Sequence, residues 1–247
     1  MTEHILLERA GGIARVTFNR PERKNALSAD MLARMDDIAT ELRADPTTRV
    51  VILSGGPSAF SAGADRNDAQ LFGGSIPADE QLRLAEIGPA AVAAWEALPQ
   101  ITIAAIERFA IGGALTFAMA CDFRVLGNDA FVSVPEVALG FPYGMGSIPR
   151  LVRFVGTARA KRIMLFAERI TAAPALEWGL VDYLAEDGDV DIFAKGLAER
   201  LLAMPPLAVG MTKRAANAAV GIGGEPTAHA DMAEILLCLR AMQDNLK

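Results

Sequence analysis

The chain changes hydrophobic period repeatedly, and each change marks an element. Ile5–Glu8 and Ile13–Phe18 read as two strands around the turn Ala10-Gly11-Gly12. Ser28 stands as an N-cap before a helix to about Arg43, with Met31, Leu32, Met35, Ile38, Ala39 and Leu42 on one face. Val50–Leu53 and Ile101–Ile106 are continuous apolar runs, the mark of strands covered on both sides. A Gly-, Ser- and Ala-rich loop spans Ser54 to Gly63, and Glu80–Leu98 has helical period. A helix is expected from Gly112-Gly113 to about Cys121, strands at Phe123–Leu126 and Phe131–Val134, and a further helix from Gly144 through Val155. From Thr157 the pattern is helical apart from a short strand near Leu180–Leu184, and a last helix is expected at Ala228–Leu246. Strand-rich α/β in residues 1–190 gives way to a helical region in 191–247.

Composition narrows the chemistry. In 247 residues with 52% hydrophobic content there is enough apolar material for a sizeable core. A net charge of -6 argues against a nucleic-acid partner. It leaves room for an anionic small molecule held by a few cations and backbone N–H groups. The most apolar stretch, Ile101 to Met119, is broken by Glu107, Arg108 and a Gly pair, so no membrane span is expected. The N-terminus lacks a basic segment followed by an apolar run, which makes the cytoplasm the expected location. Cys121 and Cys238 each lie in apolar surroundings and read as buried free thiols in preference to a disulfide.

Several chemistries lack their residues. The two histidines, His4 and His229, fall at a chain end and in the last expected helix, where surface or packing roles suffice. There is no Gly-x-Ser-x-Gly elbow, no Gly-Lys-Ser/Thr phosphate loop and no Cys/His spacing suited to a metal, so none is expected. Carboxylates and backbone donors remain. Two segments share one design, a buried strand followed by small residues and a helix start: VVILSGGPSAFSAGAD, ending at Asp65, and ITIAAIERFAIGGALTFAMACD, ending at Asp122. Such turns let a ligand approach the backbone and face its free N–H groups. Close packing alone would also account for Gly112-Gly113.

Five segments together resemble the enoyl-CoA hydratase/isomerase (crotonase) family: NRPERKNALS, AFSAGAD, AIGGALTFAMACD, VPEVALGFPYGMGSIPRLVRFVG and ITAAPALEWGLVDYL. They occur in the family's order. The resemblance implies a spiral of strand-strand-helix units with a helical C-terminal trimerisation region, assembled as a homotrimer or homohexamer. The apolar segment Leu197–Leu239 agrees, since one chain would struggle to bury it. The implied substrate is an acyl-CoA thioester, with coenzyme A as part of the substrate and no separate cofactor. The implied oxyanion donors are the N–H groups of Ala64 and Gly113. Arg23, Lys24, Ala26, Ala62, Ala64, Asp65 and Gly113 match positions along the coenzyme A moiety. Arg23 and Lys24 also read as a solvated charge pair, and Asp65 as an N-cap.

Taken alone, Glu136 is an exposed loop glutamate; the resemblance makes it the acid/base. Hydratases of the family usually carry a second glutamate where this chain has Thr116, which can hold a water but cannot accept a proton. A single glutamate tilts the expectation toward double-bond isomerisation, 3-enoyl to 2-enoyl, with hydration as the alternative and a non-catalytic acyl-CoA-binding subunit as the alternative of another class. Tyr143 stands after Pro142, where a small residue is usual, and is expected to wall the acyl pocket or lend a hydroxyl. Many relatives fold a further C-terminal helix over the site, so an open site, or one closed by a neighbouring subunit, is expected.

Overall fold

The computed structural model describes residues 3–73 and 77–221. The last expected helix, with His229 and Cys238, lies outside the described residues. Six strands form the main sheet: β1 (Ile5–Ala10), β2 (Ile13–Phe18), β3 (Val50–Ser54), β4 (Ile101–Ile106), β6 (Phe123–Gly127) and β9 (Tyr183–Ala185). They pair in the order β1-β2-β3-β4-β6-β9, antiparallel between β1 and β2 and parallel elsewhere. Three short strands make a second sheet in the order β5-β7-β8: β5 (Phe109–Ile111), β7 (Phe131–Ser133) and β8 (Arg169–Thr171). The helices are α1 (Ala29–Ala44), α2 (Ala69–Phe72), α3 (Ala78–Glu96), α4 (Gly113–Met119), α5 (Ser147–Phe166), α6 (Ala172–Glu177), α7 (Val190–Leu202) and α8 (Pro206–Ala219).

The continuous apolar runs have a direct cause. In β3, β4 and β6, alternate residues Val51, Leu53, Ala104, Ile106 and Leu126 face a core shared with α1, α3 and α4. The intervening Val50, Ile52, Ile103, Ala105 and Val125 face a second core closed by Val190, Ala194, Leu197 and Ala198 of α7. Both faces are therefore dry. The expected C-terminal region thus begins inside α7, a helix of the core layer.

Four successive turns of chain follow one itinerary. Each lays a strand in the main sheet, steps across to the second layer and leaves through a helix. In two turns the step is a strand, β5 before α4 and β7 before α5. In the other two it is a single bridge: Leu27 pairs with Ala64, and Ser61 with Ala110 of β5. This is the spiral of strand-strand-helix units that the motif resemblance implies.

Adjacent turns are fastened by Asn25. Its side chain is fully buried; Nδ2 donates to the carbonyls of Gly55 and Ala59, both at 2.8 Å, and of Phe60 at 3.3 Å, while Oδ1 accepts from the Arg20 N–H at 2.8 Å. The Pro21–Arg23 3-10 turn, Lys24 (φ 52) and Asn25 (φ 54) are wound tightly to place it.

Some sequence expectations need correction. β5, β8 and α2 were not anticipated, because three or four residues carry no readable period. The strand expected at Leu180–Leu184 is Tyr183–Ala185; Leu180 and Val181 are buried, but their N–H groups bond to the Ala175 carbonyl at the end of α6. The helix expected from Gly144 starts at Ser147, because Met145 (φ 62) and Gly146 (φ 68) are left-handed. It runs on to Phe166 through a break at Gly156 (φ 75, ψ 162).

Replacing Asn25 with Ala strands buried carbonyls at Gly55 and Ala59 without donors. The expected loss is about 2–4 kcal/mol, read as a lower urea midpoint with an unchanged m-value.

Candidate active site

Three consecutive turns bring chemistry to one place, each just after its step through the second layer: Ala64, Gly113 and Glu136. Backbone pairing sets them side by side. Ile111 N–H donates to Ser61 O at 3.1 Å, Leu27 N–H to Gly63 O at 2.8 Å, and Gly112 N–H to Ser133 O at 2.9 Å. The turns approach so closely at Gly63 (φ +84) that a Cβ there would lie 2.5 Å from the Ile111 carbonyl oxygen. The same Cβ would lie 3.6 Å from the Gly113 nitrogen. Among the described residues, neither the Ala64 N–H nor the Gly113 N–H donates a hydrogen bond. Two neighbouring backbone donors are therefore available to a ligand, Ala64 exposed and Gly113 buried.

Glu136 begins the 3-10 turn Val137–Leu139 and is 8% exposed. Its backbone carbonyl accepts from Leu139 and Phe141, which fixes the turn. The carboxylate lies over Gly112, where a Cβ would come within 2.2 Å of Oε1; φ +53 at Gly112 disfavours a side chain as well. Oε2 is buried with no hydrogen-bond partner among the described residues. Burial, slightly offset by a backbone hydrogen bond, lifts the pKa of Glu136 from the usual range near 4.5 to about 7. The other buried carboxylates among the described residues are engaged. Asp65 pairs with Arg20, Glu96 with Arg150, and Glu107 accepts from the N–H groups of Gly188 and Val190.

Thr116 sits on α4 beneath this site, fully buried. Its Oγ1 lies 2.7 Å from Ser147 Oγ and 3.0 Å from the Tyr143 hydroxyl. Tyr143, 2% exposed, donates to the Gly112 carbonyl at 3.0 Å, and Ser147 donates to the Gly144 carbonyl. With Tyr143 and Ser147 donating to backbone carbonyls, the single proton of the Thr116 hydroxyl, expected to hold a water, goes to one of these two side chains. Burial pushes the Tyr143 phenol above its usual range, so it stays neutral.

The expected coenzyme A positions lie on the first two turns. Arg23 and Lys24 are exposed at the surface of the 3-10 turn, Ala26 is half-buried, and the Ala62 N–H donates to the Lys24 carbonyl at 2.9 Å. Asp65 faces inward: Oδ2 accepts from Arg20 at 2.6 Å and Oδ1 from the Asn67 N–H at 3.0 Å. Burial raises its pKa, but the Asn67 N–H and the Arg20 guanidinium outweigh that and hold it below the ordinary range.

Sequence reasoning missed the supports. Asp68 accepts from the N–H groups of Ala29 and Gln70, tying the start of α1 to α2. Arg150 pairs with buried Glu96 and donates to the carbonyls of Met145 and Gly146, which sets the loop before α5. The Met145 sulfur then lies against Gly113, 3.4 Å from where a Cβ would stand. The Asp68 cap had a readable signal, an Asx residue ahead of Ala69-Gln70; the Arg20–Asp65 and Glu96–Arg150 pairs and the bonds from Asn25 to Gly55 and Ala59 had none, because those partners are 30 or more residues away.

The comparisons agree on one group of proteins. A sequence model of enoyl-CoA hydratase/isomerase matches residues 8–236. The chain is 36% identical over 215 residues to the short-chain-enoyl-CoA hydratase of Clostridium acetobutylicum, covering 87% of this chain and 81% of that protein. It is 36% identical over 216 residues to the crotonyl-CoA hydratase of Syntrophomonas wolfei, covering 87% and 82%. The fold superposes with TM-score 0.89 on an enoyl-CoA hydratase/isomerase crystal structure from Mycobacterium paratuberculosis at 24% identity, covering 97% of this chain and 94% of that one.

The carboxyl of Glu136 carries a sign that stability measurements can read. With its pKa raised to about 7 in the folded chain, its contribution is fully present below pH 4.5 and is lost as pH rises through 7. Glu136→Gln should therefore stabilise the protein by up to about 3 kcal/mol at pH 8 and leave it unchanged at pH 4, measured by thermal melts at both pH values.

Proposed function

Because the chain belongs to the enoyl-CoA hydratase/isomerase family, we propose that it moves a proton beside an acyl-CoA thioester, with Glu136 as the sole proton carrier. The N–H groups of Ala64 and Gly113 would hold the thioester oxygen. Removing a C2 proton puts negative charge on that oxygen, and each fixed donor in a dry site contributes roughly 10²–10³ in rate. The reaction favoured is double-bond isomerisation: Glu136 takes a proton from C2 of a 3-enoyl thioester, the electron pair spreads through the dienolate, and the proton returns at C4. The supporting observation is that Glu136 Oε2 is buried without a partner while Asp65, Glu96 and Glu107 are engaged elsewhere. Thr116 is fully buried with its hydroxyl against Ser147 and Tyr143, and its one proton is taken by one of them, which favours the reading without a Thr116-held water.

Hydration of a 2-enoyl thioester is the second reading, and what favours it is that the relatives named above are hydratases. Coenzyme A enters as part of the substrate, with no separate cofactor needed. Ala26, Ala62 and the inward-facing Asp65 shape the backbone along it, while Arg23 and Lys24 face its phosphates. Assembly as a homotrimer or homohexamer goes with this reading, supported by exposed apolar side chains such as Ile192 and Leu207 on α7 and α8.

Three measurements test the proposal. On matched panels of 3-enoyl- and 2-enoyl-CoA, the wild type should isomerise faster than it hydrates, and faster hydration would replace the first reading with the second. Glu136→Gln should lower turnover 10²–10⁴-fold with acyl-CoA affinity nearly unchanged. Affinity for acyl-CoA should also weaken from 50 mM to 500 mM salt, and Arg23→Ala with Lys24→Ala should flatten that dependence.

A further inference from the structure

The Gly112–Gly113 peptide carries both the Gly113 N–H and, at its other end, the Gly112 carbonyl. The described residues contain no cis peptide bond, so this N–H and this carbonyl point in opposite directions. Whatever holds the carbonyl on the far side holds the N–H toward the site. Two groups do so. The Thr116 N–H donates to Gly112 O at 3.2 Å in the first turn of α4, and the Tyr143 hydroxyl donates to the same oxygen at 3.0 Å. The hydroxyl is itself steadied by Thr116 Oγ1, which also meets Ser147 Oγ. Gly112, at φ +53 and ψ -124, has no side chain to resist rotation of this peptide.

We propose that Tyr143 is a positioning residue that acts through the Gly112 carbonyl to aim and polarise the Gly113 N–H. The inference rests on the reading of that N–H as an oxyanion donor. Two effects follow. The hydroxyl opposes a flip of the peptide, which would put a carbonyl oxygen where the thioester oxygen must bind. A carbonyl that accepts two hydrogen bonds also draws density from its own amide, which strengthens the N–H at the other end. Thr116 and Ser147 fix the hydroxyl's direction, giving the Thr116 side chain a task unlike that of a proton-transferring glutamate.

The test uses Tyr143→Phe, which keeps the ring and removes the hydroxyl. Turnover of but-3-enoyl-CoA should fall about 3–10-fold, the worth of one neutral hydrogen bond, with KM within about twofold. A role in packing alone leaves one further readout unmoved: the infrared carbonyl stretch of bound acetyl-CoA carrying carbon-13 at the thioester carbon. In the wild type this stretch should lie below that of free acetyl-CoA, and in Tyr143→Phe the downshift should shrink by roughly 10–30%. A downshift identical in wild type and variant overturns the proposal and leaves the oxyanion site standing. No downshift in the wild type overturns the site and the proposal with it. If Tyr143→Phe folds poorly, Thr116→Val withdraws the partner of the hydroxyl instead; its stretch should move the same way, and an unmoved stretch overturns the proposal.

Discussion

The structure turns on a constraint that folded chains meet almost everywhere: a buried backbone N–H needs an acceptor. Ile111, Gly112, Leu27 and Asp65 meet it across the turns, through Ser61, Ser133, Gly63 and Leu27. Between these paired groups, the N–H groups of Ala64 and Gly113 are left without one among the described residues. The fold thus builds a pair of free donors from groups that the pairing around them leaves out: Ala64 lies between the two hydrogen bonds to Leu27, and Gly113 follows the one from Gly112 to Ser133. No side chain is needed to bind the oxygen, and none can intrude, since Gly63 and Gly112 sit where a Cβ would strike the Ile111 carbonyl or the Glu136 carboxylate.

The spiral explains why acid/base and donors meet. Each turn delivers its residue at the same stage of the path, so stacking the turns lines up Ala64, Gly113 and Glu136 though they are 49 and 23 residues apart in sequence. Rigidity then comes from beneath. The buried Glu96–Arg150 pair grips the Met145 and Gly146 carbonyls, and the three hydroxyls of Thr116, Tyr143 and Ser147 close on one another and on backbone oxygens. A buried pair of this kind contributes little net stability beside well-packed apolar groups. Its service here is to fix a loop with two left-handed residues in succession, Met145 and Gly146.

Much of this was legible in the sequence. The long helices and the apolar strands announced themselves because a 16-residue helix such as α1 shows several periods and a doubly buried strand shows none. The small-residue loops pointed to ligand-accessible backbone at Ala64 and Gly113, and the motif resemblance picked out Glu136 in a third segment, after β7. The illegible part is of two kinds. Three-residue strands such as β5 and β8 are too short for any period to declare itself. Polar side chains buried against distant backbone, as Asn25 is, look in sequence like any loop asparagine. The Thr116 hydroxyl belongs with these: residue type told what it cannot do, and only the positions of Tyr143 and Ser147 told what it does.

The Asn25 clasp also bears on the order in which the molecule comes apart. It joins a tight surface turn, whose neighbours Arg23 and Lys24 are exposed, to carbonyls 30 to 35 residues onward. Local opening of so exposed a turn costs far less than opening the sheet. When it opens, Gly55–Phe60 loses its tether, and the segment leading to Ala64 keeps only its backbone pairing to Leu27 and β5. On warming, precision at the site is expected to go before the core does, because a surface turn holds the first and the sheet holds the second.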